Sequence, residues 1–136
     1  RAGRDMAPGE GLCLGLQFYM AESREQAIRE ITPLYEEHAK MFGPLNFLPL
    51  SEDAQVAVSK RGGWREAGVP TVEHFMDMGS WFAGTAEQLT ERLKELEERF
   101  PGLEYIGLGM PICTPKTKML EIYQQVGEEV MPHFSG

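Results

Sequence analysis

Trp81-Phe82-Ala83-Gly84-Thr85-Ala86-Glu87-Gln88-Leu89 carries a strand, a turn and a helix start in one short run. The apolar residues end at Gly84, and an amphipathic helical pattern begins after Thr85. Thr85 and Gln88 stand at capping-box spacing. In that arrangement the hydroxyl accepts from an early helical N–H and the amide reaches back to the cap. Gly84 lets the backbone turn sharply between the two elements. The run reads as the hinge of a βα unit, and the chain repeats such a joint before and after it.

Downstream, Leu89, Leu93, Leu96 and Phe100 mark the buried stripe of a helix reaching about Arg99. Glu95 and Arg99 are spaced to pair along it, and Pro101-Gly102 ends it. Leu103 to Met110 reads as the next strand. Its glycines, Gly107 and Gly109, mark a close approach by a ligand or a neighbouring element, with tight packing at a barrel corner as the competing reading. Thr114-Pro115 opens a last helix with proline at its first position. Leu120, Tyr123, Val126, Val130 and Phe134 recur along it at helical spacing.

Upstream, Leu12 to Met20 is apolar on both faces, as a buried parallel strand is. Ser23 and Gln26 form another capping-box pair, and Ala27, Ile28, Ile31, Leu34 and Tyr35 give one apolar stripe. Pro33 falls inside that stripe and either kinks the helix or restarts it. The helix is expected to stop near Gly43-Pro44. The chain therefore divides into a polar lead-in (1–11), a βα unit (12–42), an irregular insert (43–80) and two further βα units (81–102 and 103–136).

The insert is the least regular part. Leu45 to Leu50 is broken by Pro49, Ser51 caps a short helix to about Lys60, Arg61-Gly62-Gly63-Trp64 is a loop, and Thr71 caps another short helix from Val72 to Met78. So long an excursion between regular units is uncommon unless it is functional or a lid. Its Phe47, Trp64, Phe75, Met76 and Met78 suit either a core edge or a ligand wall.

Strands alternating with helices make an α/β fold with a parallel sheet. Three units by themselves leave sheet edges open and a face uncovered, so the chain is expected to be part of a larger barrel or to assemble. The start at Arg1, in a polar glycine-containing stretch, reads as the middle of something larger.

In bulk, the chain has 136 residues, 42% of them hydrophobic, enough for one packed domain or part of one. A formal charge of −8 argues against nucleic acid and against an anionic membrane surface as partner. No apolar run approaches the ~20 residues of a membrane span, and no signal peptide is visible. Cys13 and Cys113 lie in apolar, strand-like contexts and read as buried free thiols, which suits a cytoplasmic location.

Little chemistry stands out. No HExxH, CxxC, Walker or GxSxG pattern is present, and His38, His74 and His133 have no metal-ligand spacing, so no metal is expected. His38 and His133 read as helix-surface residues. His74, beside Phe75 and Met76, is the histidine placed to face a pocket and the candidate catalytic group. Cys113 follows a strand end, where barrels place function, although a buried structural thiol is the plainer reading.

Four blocks resemble the luciferase-like monooxygenases. Phe18-Tyr19-Met20-Ala21-Glu22-Ser23-Arg24-Glu25-Gln26-Ala27 is similar to that family's strand followed by an Ala-Glu-Ser/Thr helix start. Phe82-Ala83-Gly84-Thr85-Ala86-Glu87-Gln88-Leu89 resembles its Gly-Thr/Ser-Pro-Glu joint, with Ala86 where the family usually has proline. Leu103 to Leu108 is similar to its final strand, and Val130-Met131-Pro132-His133-Phe134 to its closing segment.

The resemblance implies the C-terminal portion of a (β/α)8 TIM-type barrel. It also implies reduced FMN or the deazaflavin F420 as cofactor and a small organic substrate, oxidised with O2 or exchanging hydride with F420. The parts that usually hold the flavin phosphate and the catalytic base come from earlier strands, so no catalytic residue carries over. What carries over is position: Tyr19, Met20, Ala83, Gly84, Gly109 and Met110 are expected at the cofactor mouth. His74, Phe75 and Trp81 are expected over the substrate side. Expected partners are the remaining barrel or a second copy of the chain, as a homo-oligomer. The isolated chain is expected to be inactive. The rival reading is a non-catalytic α/β module that homodimerises through an exposed sheet edge. An antiparallel α+β dimer is disfavoured by the helix in each inter-strand connection.

Overall fold

The computed structural model describes residues 5–43, 45, 51–58 and 68–134. Their order is β1 (Cys13–Met20), α1 (Arg24–Phe42), α2 (Glu52–Val58), α3 (Val72–Asp77), β2 (Trp81–Gly84), α4 (Ala86–Arg99), β3 (Tyr105–Gly109) and α5 (Lys116–Gln125). A π-helical turn at Val126–Val130 and a short 3₁₀ turn at Met131–His133 follow α5. The expected loop at 61–64, together with Phe47, Pro49 and Trp64, falls outside the described residues.

Both capping signals set helix starts, in different ways. At α4 the box is complete: Gln88 N–H donates to Thr85 Oγ1 (3.3 Å), and Thr85 N–H donates to Gln88 Oε1 (3.1 Å). At α1 only the forward half forms, from Gln26 N–H to Ser23 Oγ (3.1 Å). The Gln26 side chain instead donates to Glu30 (2.8 Å), one turn on. Pro33 neither ends nor restarts α1, which runs unbroken to Phe42. One turn is adjusted, with the Thr32 hydroxyl donating to Ile28 C=O (2.7 Å).

The sheet is parallel throughout, in the order β2-β1-β3. β3 pairs with the first half of β1, Cys13 to Gln17, and β2 with the second half, Gln17 to Met20. Consecutive staves of a barrel lie side by side, whereas here the second strand in sequence and the third flank the first.

Side chains alternate across the sheet. Leu14, Leu16, Phe18, Met20, Phe82, Ile106 and Leu108 share one face. They meet α4 and the C-terminal helix, where the Phe18 and Tyr123 rings lie 5.8 Å apart. Gln17, Tyr19, Trp81 and Ala83 share the other face with α1. Tyr35 and His38 each meet Trp81 edge-on at 5.2 Å, and Tyr35 Oη donates to Pro70 C=O (2.6 Å). Ile31, Tyr35, Phe18 and Leu89 are fully buried, each worth about 1.5–3 kcal/mol of apolar transfer.

The cover on that second face is incomplete. α1 lies over β2 and the end of β1, and Cys13, Gly15, Tyr105 and Gly107 remain exposed. β1 is thus buried on both faces only towards its C-terminal end. This corrects the burial expected of Cys13, which sits on the bare part, and of Cys113, which lies exposed in the loop after β3 at φ 67°.

Three smaller expectations are also corrected. Leu120 and Tyr123 are exposed, and the buried stripe of the last helix is Ile122, Val126 and Val130. Pro115 occupies the cap position rather than the first turn. Glu95 pairs with Arg92 (3.0 Å), one turn back, instead of Arg99.

Candidate functional site

The bare half of the sheet forms a depression of about 550 Å3, lined by Gly15, Gln17, Ser80, Trp81, Gly107 and Gly109 with the strand backbone between them. Gly15 and Gly107, matched in register on the two parallel strands, leave a flat patch of floor without side chains. A Cβ at Gly15 would meet nothing within 4 Å, and one at Gly107 would meet only Leu14 C=O at 3.7 Å. Trp81 forms the wall on the α1 side, clamped by Tyr35 and His38.

Gln17 supplies the polar group. Its side chain lies over Gly109, where a Cβ would come within 3.2 Å of Nε2. Gln17 Oε1 is shielded from solvent and has no hydrogen-bond partner among the described residues. An unmatched acceptor of this kind costs about 1–3 kcal/mol. The floor beside it is a flat backbone surface that could take the face of a planar ring.

Of the residues expected to form a site, Trp81 and Gly109 meet at this floor. Tyr19 does not: it is buried, and Oη donates to Glu30 Oε2 (3.0 Å). Burial first, then the bond to Glu30, hold its hydroxyl far above the ordinary phenol value. Glu30 is held below the usual carboxylate range, chiefly by the bond from Gln26. Tyr19 is thus a locked strut between β1 and α1 rather than a proton donor. Met20 is fully buried and borders a separate cavity of about 270 Å3 with Glu22, Gln26, Lys118 and Glu121. Gly84 is packed beneath Gln88 and Phe82, and Met110 is half-buried against the core.

His74 lies exposed on α3, edge-on to Phe75, and lines neither cavity. His38, read as a surface residue, is instead half-buried, with its ring 4.4 Å from that of Phe42 and Nδ1 unpartnered among the described residues. Desolvation lowers its pKa, so the ring is neutral at pH 7. His133 is exposed.

Gln17 and Gly15 were not singled out from the sequence. The available signal was one amide inside an otherwise apolar strand. Among the described residues no group of His, Cys, Asp and Glu is arranged to hold a metal, and no helix is long and apolar enough to cross a membrane. Compared with known proteins, the chain matches no family, no curated protein and no solved structure.

Proposed function

We propose that the chain forms one wall of a flavin or F420 site in an oxidoreductase of the luciferase-like type, acting on a small organic substrate. The observation that carries this reading is the glycine floor, bare above Gly15 and Gly107 and walled by Trp81. Reduced FMN or F420 would supply the redox chemistry. Gly15 and Gly107 would admit a ring face, Gln17 would border it, and Trp81 would exclude water from one side. No lining residue of the floor is cationic, so the cofactor phosphate would be held by residues outside the floor.

β1 and β3 share the longer ladder, while four-residue β2 pairs with the C-terminal end of β1. The floor lies on the α1 face of this sheet, at the end that α1 leaves bare.

The test is titration of the chain with FMN and with F420, followed by cofactor fluorescence. Saturable binding is expected, and Gly15→Leu, which raises a side chain from the floor, abolishes it while the fold persists. Binding by neither cofactor, or binding indifferent to Gly15→Leu and Gln17→Leu, refutes the floor as a cofactor surface.

A further inference from the structure

The outer edge of β3 carries a second message. Gln17 N–H bonds Ser80 C=O (3.2 Å) and Ala21 N–H bonds Gly84 C=O (3.1 Å), so odd residues of β1 face β2 and even residues face β3. In a parallel ladder, a residue directed at the neighbouring strand is matched to one directed away. Ile106 and Leu108, matched to Leu14 and Leu16, therefore point their backbone groups outward. Leu108 C=O accepts from Tyr123 Oη (3.0 Å). Ile106 N–H, Ile106 C=O and Leu108 N–H have no partner among the described residues.

Proteins blunt such edges with lysine, proline, a bulge or a covering element. Tyr105 to Met110 holds no charge and no proline, and Tyr105 is 67% exposed beside it. The only guard seen at this edge among the described residues is the Tyr123 hydroxyl, on a side chain itself 41% exposed.

We infer that β3 pairs with β3 of a second copy, antiparallel about a two-fold axis near Gly107. An isologous contact needs a patch complementary to itself. Two outward residues, each offering one donor and one acceptor, satisfy that when one copy runs against the other. Charge selects the same strip, because two chains of −8 repel wherever their acidic helix faces meet and least where a strand has no ionised group. On pairing, Tyr123 releases Leu108 C=O to the incoming strand. This goes beyond the flavin reading, since the edge is open whether or not the floor holds a ring.

The experiment is light-scattering mass against concentration for the full chain without flavin, with circular dichroism to confirm folding. The wild type is expected to reach the mass of two chains. Ile106→Pro deletes an outward N–H that the β1 ladder does not use, so it is expected to stay folded and to weigh one chain. Tyr123→Phe frees the Leu108 acceptor and moves the dimer midpoint several-fold lower in concentration. A wild type of one-chain mass throughout, or a folded Ile106→Pro dimer, overturns the inference. Should Ile106→Pro not fold, Tyr123→Phe decides, and an unchanged midpoint overturns it. Flavin titration of the monomeric variant reads the floor separately.

Discussion

Replacing Gly84 by alanine pits two physical effects against each other. Its backbone lies outside the left-handed region, so the cost is steric. The added Cβ would sit 2.5 Å from Gln88 Oε1 and 2.9 Å from Phe82 Cζ. Gln88 Oε1 is the acceptor for Thr85 N–H, so its displacement breaks the returning half of the α4 capping box, a loss of about 1 kcal/mol. Forcing the Phe82 ring aside in a packed core adds about 1–3 kcal/mol. Against this, alanine restricts the unfolded chain and recovers about 0.4–1 kcal/mol.

The expected net effect is a destabilisation of about 1–3 kcal/mol, read as a lower urea midpoint at constant slope. Gly15→Ala is the matched control. It makes the same chemical change in a neighbouring strand, but with open space above, so it is expected to be neutral or stabilising by up to about 1 kcal/mol. Adding Gln88→Ala to Gly84→Ala removes one of the two clashes, and the double-mutant cycle should then show coupling. Equal midpoints for Gly84→Ala and Gly15→Ala would refute the steric argument.

The other predictions concern titration and reactivity. Burial lowers the His38 pKa from its ordinary 6.5, so the unfolded chain takes up the proton first. Its contribution to stability is complete above that pH and is lost as pH falls towards the depressed folded value. His38→Phe keeps a ring against Phe42 and Trp81 and should flatten the urea midpoint across that window; an unchanged slope with pH would count against the assignment. Cys13 and Cys113 are both exposed, so a thiol reagent should label both in the native chain. Labelling that waits for denaturant would contradict the bare half of the sheet.

What the sequence revealed was local. Ser23 and Thr85 announce helix starts because a cap works within one turn of its own residue. Tyr35 and Leu89 fall on buried stripes because helical period is written in neighbours. The order β2-β1-β3 is a matter of which distant strands pair, and nothing within Trp81–Gly84 states that it joins the second half of β1.

The same limit hid the fate of the cysteines. An apolar strand reads as buried on both faces, but cover is supplied by other elements, and α1 stops short of Cys13. Leu120 and Tyr123 fit the periodicity of the last helix, yet the π turn at Val126–Val130 follows a buried row that runs through Ile122. The candidate site was half legible. Gly109 and Trp81 were marked by glycine and aromatic content, whereas Gln17 matters through an unmatched acceptor that only tertiary packing creates.

The central place of β1 also bears on how the chain comes to fold during synthesis. β1 leaves the ribosome before either of its ladder partners, which begin at Trp81 and Tyr105, far downstream. Its apolar second half must stay unpaired while α1 and the insert are translated, covered at most by α1. Closure over such long separations is slow, and a waiting apolar strand is the kind of species that chaperones shield. The rate of elongation through α1 and the insert therefore sets how long that apolar strand stays without its partners.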